Sequence, residues 1–225
     1  MQAIQRTAIS GLIIFGLLFA TNNMATANTG AKIQAPDVIL KATTLDMLRS
    51  INADREALDN APDKLKLLVE KIILPQIDFI SASKLVLGKY WRRADQKQKI
   101  QFIRQFRTVL LRFYSAAIYE YVSNKNEALP EDLFHYFPLN AKPEDSSTTV
   151  RAELKSDSGQ VIPIHYRMHM TSKGWKIYDV SVEGISIITT YKNNFATELK
   201  TKGIDDLIAS LEEKNNKQIA NNGKK

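Results

Sequence analysis

The sequence predicts an α+β protein: helices first, then an antiparallel sheet of about four strands, then helices again. Three observations carry this prediction. Apolar residues recur at helical spacing from Val38 to Val122, the period drops to two between Val150 and Val182, and helical spacing returns after Gly184.

Pro36-Asp37 opens a helix in which Val38, Leu45, Leu48 and Ile51 share a side. "APDKLKLLVEKIIL" repeats the pattern after Pro62 and stops at Pro75. Asp78 is placed to cap a short helix that runs through Leu87 and ends at Gly88. The longest helix is predicted from Asp95 to Val122, because Asp95 followed by Gln98 three residues later makes a capping box. Ile103, Phe106, Leu110, Phe113, Tyr114, Ala117 and Tyr121 form its apolar stripe. Phe102 and Val109 widen the stripe, so this helix is expected to contact more than one layer.

A weaker strand signal covers Leu133 to Leu139. "TTVRAEL" then alternates Val150, Ala152 and Leu154 against Thr149, Arg151 and Glu153. After the turn "SDSGQ", "VIPIHYRMHM" alternates Ile162, Ile164, Tyr166, Met168 and Met170 against polar neighbours. "SKG" turns into "WKIYDVSVEGIS", where Tyr178, Val180 and Val182 are expected on the apolar side and Ser181 and Glu183 on the other. Short turns between strands with one apolar face predict an antiparallel meander. Pro163 predicts an edge position or a free amide in its strand. Ile185, Ile188, Tyr191 and Phe195 mark the next helix, and Gly203 separates it from a last one.

The N-terminus has a different anatomy. Arg6 precedes an apolar run from Ala8 to Ala20, and Ala25-Thr26-Ala27 forms a small-x-small cleavage pattern, so residues 1–27 read as a secretory signal peptide. The run is about 13 residues, short of the roughly 20 a membrane span needs. A single domain from 28 to 213 and a disordered polar tail from 214 to 225 are expected. The chain has no cysteine, which excludes disulfides and thiolate metal ligands. Its net charge is +7, and in an exported protein that favours lipid headgroups or acidic proteins over nucleic acid.

Catalytic motifs are scarce: there is no phosphate-binding glycine loop, no GxSxG elbow and no HExxH pair. His165 and His169 fall about 13 Å apart on one strand, too far to share an ion, and read as surface histidines. His135, isolated among aromatics, reads as structural. Neither a metal nor a cofactor is predicted. Tyr166, Tyr178, Asp179 and Glu183 admit an acid–base reading, with a phenol beside a carboxylate in an apolar pocket. The plainer reading puts Asp179 and Glu183 on the polar side of their strand, with Glu183 favourably placed at a helix start. Between Lys84 and Arg112 there are nine basic residues and one acid, Asp95. Such a run is either a solvated face or a docking surface for an acidic partner or a headgroup. Lys89, Arg92, Arg93 and Lys97 are the docking candidates.

Two segments, "LPQIDFISASKLVLGKYWRRADQKQKIQFIRQFRTVLLRFY" (74–114) and "WKIYDVSVEGISIITTYKNNF" (175–195), resemble the MlaC, or toluene-tolerance, family of periplasmic phospholipid-binding proteins. "TKGIDDLIASLEE" near the end fits as well, and the resemblance spans roughly Ala35 to Glu213. It implies an NTF2-like curved sheet surrounded by helices, enclosing an apolar cavity for the acyl chains of a diacyl phospholipid. It also implies a periplasmic monomer, not an enzyme, that shuttles lipid between an outer-membrane lipoprotein–porin complex and an inner-membrane ABC transporter with MCE-domain subunits. Such a carrier maintains the lipid asymmetry of the outer membrane.

The residues agree with that expectation. Met, aromatic and aliphatic side chains facing wide helical stripes suit a lined cavity as well as a filled core. The lining candidates on the sheet are Val150, Ala152, Leu154, Ile164, Tyr166, Met168, Val180 and Val182. Those on helices are Phe106, Leu110, Phe113, Tyr114, Ile185 and Ile188. Tyr90 and Trp91 are placed either at the entrance or as a seal on the core. An enzyme acting on a small apolar substrate and a ligand-free interaction module are the alternatives.

Overall fold

The computed structural model describes residues 34–59, 61–125, 127–139, 145–156 and 159–222. The predicted signal peptide, its cleavage site after Ala27 and the last three residues of the tail lie outside that range.

Helix α1 (Pro36–Ala53) begins with Pro in its first turn, where a missing N–H costs nothing. Its inward face is Leu40, Met47, Leu48 and Ile51, with Val38 left exposed. That face is rotated from the expected one, and at its edge Thr44 Oγ1 lies 2.6 Å from the Tyr136 hydroxyl. After α2 (Arg55–Asp59), helix α3 (Pro62–Leu68) runs into a π-helical turn, Val69–Ile73, and a tight turn, Leu74–Gln76. Helix α4 (Phe79–Leu87) is capped by Asp78, whose carboxylate accepts from the Ile80 and Ser81 amides. The short α5 (Lys89–Arg93) leads to α6 (Gln96–Ser123), where both halves of the Asp95–Gln98 capping box are present.

Strands β1 (Phe134–Tyr136), β2 (Ser147–Lys155), β3 (Val161–Thr171), β4 (Gly174–Val182) and β5 (Ile185–Ser186) form one antiparallel sheet in sequential order. The fifth strand is the departure from the expected four. Glu183 (φ 51°) and Gly184 (φ 81°) form a two-residue turn that pairs Ile185 with Val182 before the helix begins. Glu183 therefore sits in a hairpin, and α7 (Ile187–Thr201) is capped instead by Ser186, which accepts from the Thr189 amide. Pro163 lies in an interior strand. Its carbonyl accepts from the Glu183 amide where β4 gives way to the turn, so its missing N–H falls at the end of the ladder.

The register also shifts between Arg167 and Met168. Met168 pairs with Ile177 but Arg167 pairs with Asp179, which leaves Tyr178 as an extra residue. This bulge corrects the expected alternation. Val180 and Val182 keep the apolar face opposite Tyr166 and Ile164. Tyr178 turns to the other side, 5.1 Å from the His169 ring and 4.9 Å from the Arg167 guanidinium. His169 is likewise no free surface group: its Nε2 lies 2.9 Å from Asp78 Oδ2, tying α4 to β3. His165 and His135 are exposed, His135 edge-on to Phe137.

Three apolar clusters hold these elements. One joins α1, α3, the C-terminal part of α6 and Leu129–Leu133. A second joins α4, the N-terminal part of α6, α7 and α8 (Ile204–Asn222) around fully buried Phe102 and Phe106, with Phe195 edge-on to both. The third packs Leu40 against Val150, Met168, Trp175 and Ile177 on the sheet. Helix α8 continues past Glu213, and buried Asn215 donates to the Gln105 carbonyl and accepts from Arg112.

Two outcomes follow from these joints. Burial would raise the Asp78 carboxyl, but the Ser81 amide and hydroxyl and His169 outweigh it and hold it below its ordinary 3.8. A depressed acid stabilises above its unfolded value and loses that contribution as pH falls through the folded one. Asp78→Ala should therefore cost about 1 kcal/mol in urea unfolding at neutral pH, with the gap from the parent closing below pH 3.8. Glu183→Asn, which suits positive φ, should gain about 0.5 kcal/mol in the same assay.

Candidate functional site

Sheet and helices do not close completely on one another. Two apolar lobes, of about 430 and 460 Å³, lie between them and share seven lining residues: Ile73, Tyr114, Ile118, Phe134, Leu154, Tyr166 and Ile177. The first lobe runs along α1, past Leu40, Thr44, Met47 and Ile51, to Leu129 and Leu133. The second runs under the π-helical turn and α4 to the far end of the sheet, bounded by Val69, Leu110, Ile164, Val180, Val182 and Ile188. Val69 and Ile73, at the two ends of this turn, both border this lobe.

Polar groups at the walls are few and mostly engaged. Tyr166 stands where the lobes meet, and burial pushes its hydroxyl far above the ordinary tyrosine value, with Tyr136 adding to the effect. Burial also pushes Tyr114 up to about 12, with Tyr191 and Asp179 adding to it. These phenols stay neutral at any physiological pH. Asp179 is buried at the edge of the second lobe. Its Oδ2 accepts from Ser186 Oγ (2.8 Å) and lies 3.6 Å from Arg167, and its Oδ1 accepts from the Ile188 amide (3.2 Å). Every oxygen of the carboxylate is thus spent on holding β4, β5 and the start of α7 together. The acid–base pairing of Asp179 with Tyr166 that the sequence admits has no support in this geometry. Among the described residues there is no group of His, Asp and Glu able to hold a metal ion.

Of the predicted lining residues, the structure brings Leu110, Tyr114, Leu154, Ile164, Tyr166, Val180, Val182 and Ile188 to the lobes. It places Phe106, Val150, Ala152 and Met168 in packed interior. Phe113 is 60% exposed, edge-on to Tyr114, and Ile185 is 67% exposed on the hairpin. Neither borders a lobe. The α1 face, Ile73, Ile118, Phe134 and Ile177 are lining residues that the sequence reading did not single out. Their helical and strand periodicity was visible, but a stripe on a core and a stripe on a hole have the same period. Lys89, Arg92, Arg93 and Lys97 are exposed on α5 and the first turn of α6, and Tyr90 and Trp91 are half-buried against the second apolar cluster.

Residues 41–213 match a family described as MlaC protein. The chain is 27% identical over 174 residues to the toluene tolerance protein ttg2D of Pseudomonas putida, covering 76% of each. It is 22% identical over 201 residues to the intermembrane phospholipid transport system binding protein MlaC of Haemophilus influenzae, covering 88% of this chain and 90% of that one. In fold it is similar to the phospholipid-binding protein of Ralstonia solanacearum solved in complex with a phospholipid. The TM-score there is 0.68 at 27% identity, over 80% of this chain and 96% of the other.

The anchoring role of Asp179 has a direct readout. Asp179→Ala should lower the unfolding free energy by about 2–3 kcal/mol, since it strands the Ser186 hydroxyl and the Ile188 amide. An unchanged urea midpoint would show that the carboxylate is not structural.

Proposed function

This chain belongs to the MlaC family, and from that premise we propose that it is a periplasmic phospholipid carrier that holds acyl chains in the two-lobed cavity. It moves lipid between an outer-membrane lipoprotein–porin complex and an inner-membrane ABC transporter with MCE-domain subunits, and so maintains outer-membrane lipid asymmetry. It does so by binding alone, with no chemical step.

The observation that carries the reading is the pair of apolar lobes meeting at Tyr114 and Tyr166. Counting about 30 Å³ for a methylene-sized group, the share one water takes in its liquid, each lobe has room for about 14 such groups. That is close to one acyl chain per lobe. Hiding roughly thirty methylenes from water is worth over about 20 kcal/mol, so walls made of aliphatic and aromatic side chains suffice for retention. The phospholipid bound by the Ralstonia protein supports the same assignment. No helix among the described residues is long and apolar enough to cross a membrane, which suits a protein that carries lipid rather than anchors in it.

Native mass spectrometry of protein recovered from the periplasm should show bound diacyl phospholipid, and the stripped protein should regain it from vesicles. Leu110→Glu or Val180→Glu puts a charge against the wall of the second lobe and should reduce loading at least tenfold while the domain stays folded. Val161→Glu, on an exposed site outside the lining, should load as the parent does. Protein that is lipid-free in the periplasm and takes none from vesicles would refute the carrier reading.

A further inference from the structure

The corner formed by the end of α4, the whole of α5 and the start of α6 is not used by the cavity. Gly88, with φ 54°, lets the chain leave α4 and enter α5 within one residue, and Asp95 then starts α6. The consequence is a dense set of exposed cations: Lys84, Lys89, Arg92, Arg93 and Lys97. From the neighbouring helix α7, Lys192 joins them, with its Cε 3.8 Å from where a Cβ on Gly88 would stand. Among the described residues none of these six has an ion-pair partner. Two acids lie at the same corner, Asp95, which caps α6, and Asp205, which accepts from the Gln98 side chain, and neither is in an ion pair with these cations.

Two aromatic rings are set among the cations. Tyr90 and Trp91 are half-buried, with Lys89 5.3 Å from the Tyr90 ring and Lys99 5.6 Å from the Trp91 ring. Leu85 and Ile100 add exposed aliphatic surface to the same stretch. An acidic protein groove asks for cations placed one against one. A bilayer interface instead asks for cations without fixed partners, amphipathic rings at headgroup depth and some aliphatic surface between them. This corner has the second composition.

We propose that the α4–α5–α6 corner is a docking surface for lipid bilayers that carry anionic headgroups. The carrier reading gives that docking its use, since a carrier must come close to the membrane it serves. The docking is measured separately from loading. It is reversible and electrostatic, because unpartnered surface charges act only within a Debye length, about 8 Å at physiological salt.

The full mature chain is mixed with phosphatidylcholine vesicles or with vesicles that also contain phosphatidylglycerol, and sedimented across a salt series. Co-sedimentation with the anionic vesicles alone, weakening as salt rises, is the expected result. The chain has two tryptophans and Trp175 is buried (5% exposed), so a blue shift in emission on anionic vesicles, absent in Trp91→Phe, reports Trp91 entering the interface. Arg92→Glu with Arg93→Glu should lower partitioning at least about tenfold while lipid uptake from phosphatidylcholine vesicles is unchanged. If that pair disturbs folding, Lys84→Gln with Lys97→Gln tests the same surface. Equal binding to both kinds of vesicle, undiminished binding of the variants, or no binding to either kind at low salt would each overturn the proposal. Loss of lipid uptake with vesicle binding intact would count against the carrier reading and leave the docking surface standing.

Discussion

One extra residue in β4 sets the position of the far wall of the cavity. Tyr178 has no partner in β3, so the residues on either side of it change phase: Trp175 and Ile177 face inward before it, Val180 and Val182 after it. The bulge puts Asp179 opposite Arg167 and within reach of Ser186 and the Ile188 amide. A buried carboxylate is costly unless every oxygen is used, and here the use is structural. The sheet's end, the β4–β5 hairpin and the first turn of α7 are locked to one another. Without the shift, an unbroken alternation would aim Asp179 and Ser181 at the apolar lobe and the valines at solvent.

The rest of the architecture follows from keeping that interior open. Cores normally close on any void, because atoms lining an unfilled space forfeit their packing contacts, and lobes of about 430 and 460 Å³ are large on that scale. Walls that stand apart over such a volume need to be held in place. The three apolar clusters do this, one at each end of α6 and one on the sheet under α1, and they share residues such as Met47, Leu110 and Ile177 with the lining itself. On the carrier reading the acyl chains supply the missing packing, so lipid binding and folding stability are the same free energy seen from two sides.

Much of this was legible in the sequence, and the limits have physical causes. Asp78, Gly88 and the Asp95–Gln98 box marked helix ends because caps are local chemistry, and the meander was visible because a half-buried strand must alternate. The bulge also left a trace, since the apolar positions of "WKIYDVSV" move from 175 and 177 to 180 and 182. An expectation of unbroken alternation passes over that step. The two-residue turn at Glu183-Gly184 was hidden because glutamate rarely takes positive φ, so nothing at position 183 announced a hairpin. The α1 wall of the first lobe was hidden for a different reason. Periodicity reports which side of a helix avoids water, and a core and an acyl chain both exclude water.

On the carrier reading, the composition of the walls also bears on how a lipid leaves. Transfer from water into the lobes is strongly favourable, but transfer from a bilayer exchanges one apolar surrounding for another. The methylene contribution that holds the chains against water then largely cancels. Thr43, Thr44 and Gln76 border the first lobe, the phenols at the junction stay neutral, and Asp179 at the edge of the second is taken up by Ser186, the Ile188 amide and Arg167, so no free charge is left to hold the tails. What remains is set by the headgroup, by the packing regained when the lobes are filled, and by how closely the protein approaches its source or destination. On the carrier reading, a cavity built this way would retain lipid while crossing water and be nearly neutral at a membrane. On that reading, any direction of transport comes from the surfaces that meet the protein at either end, because an acyl-chain site of this composition does not favour one over the other.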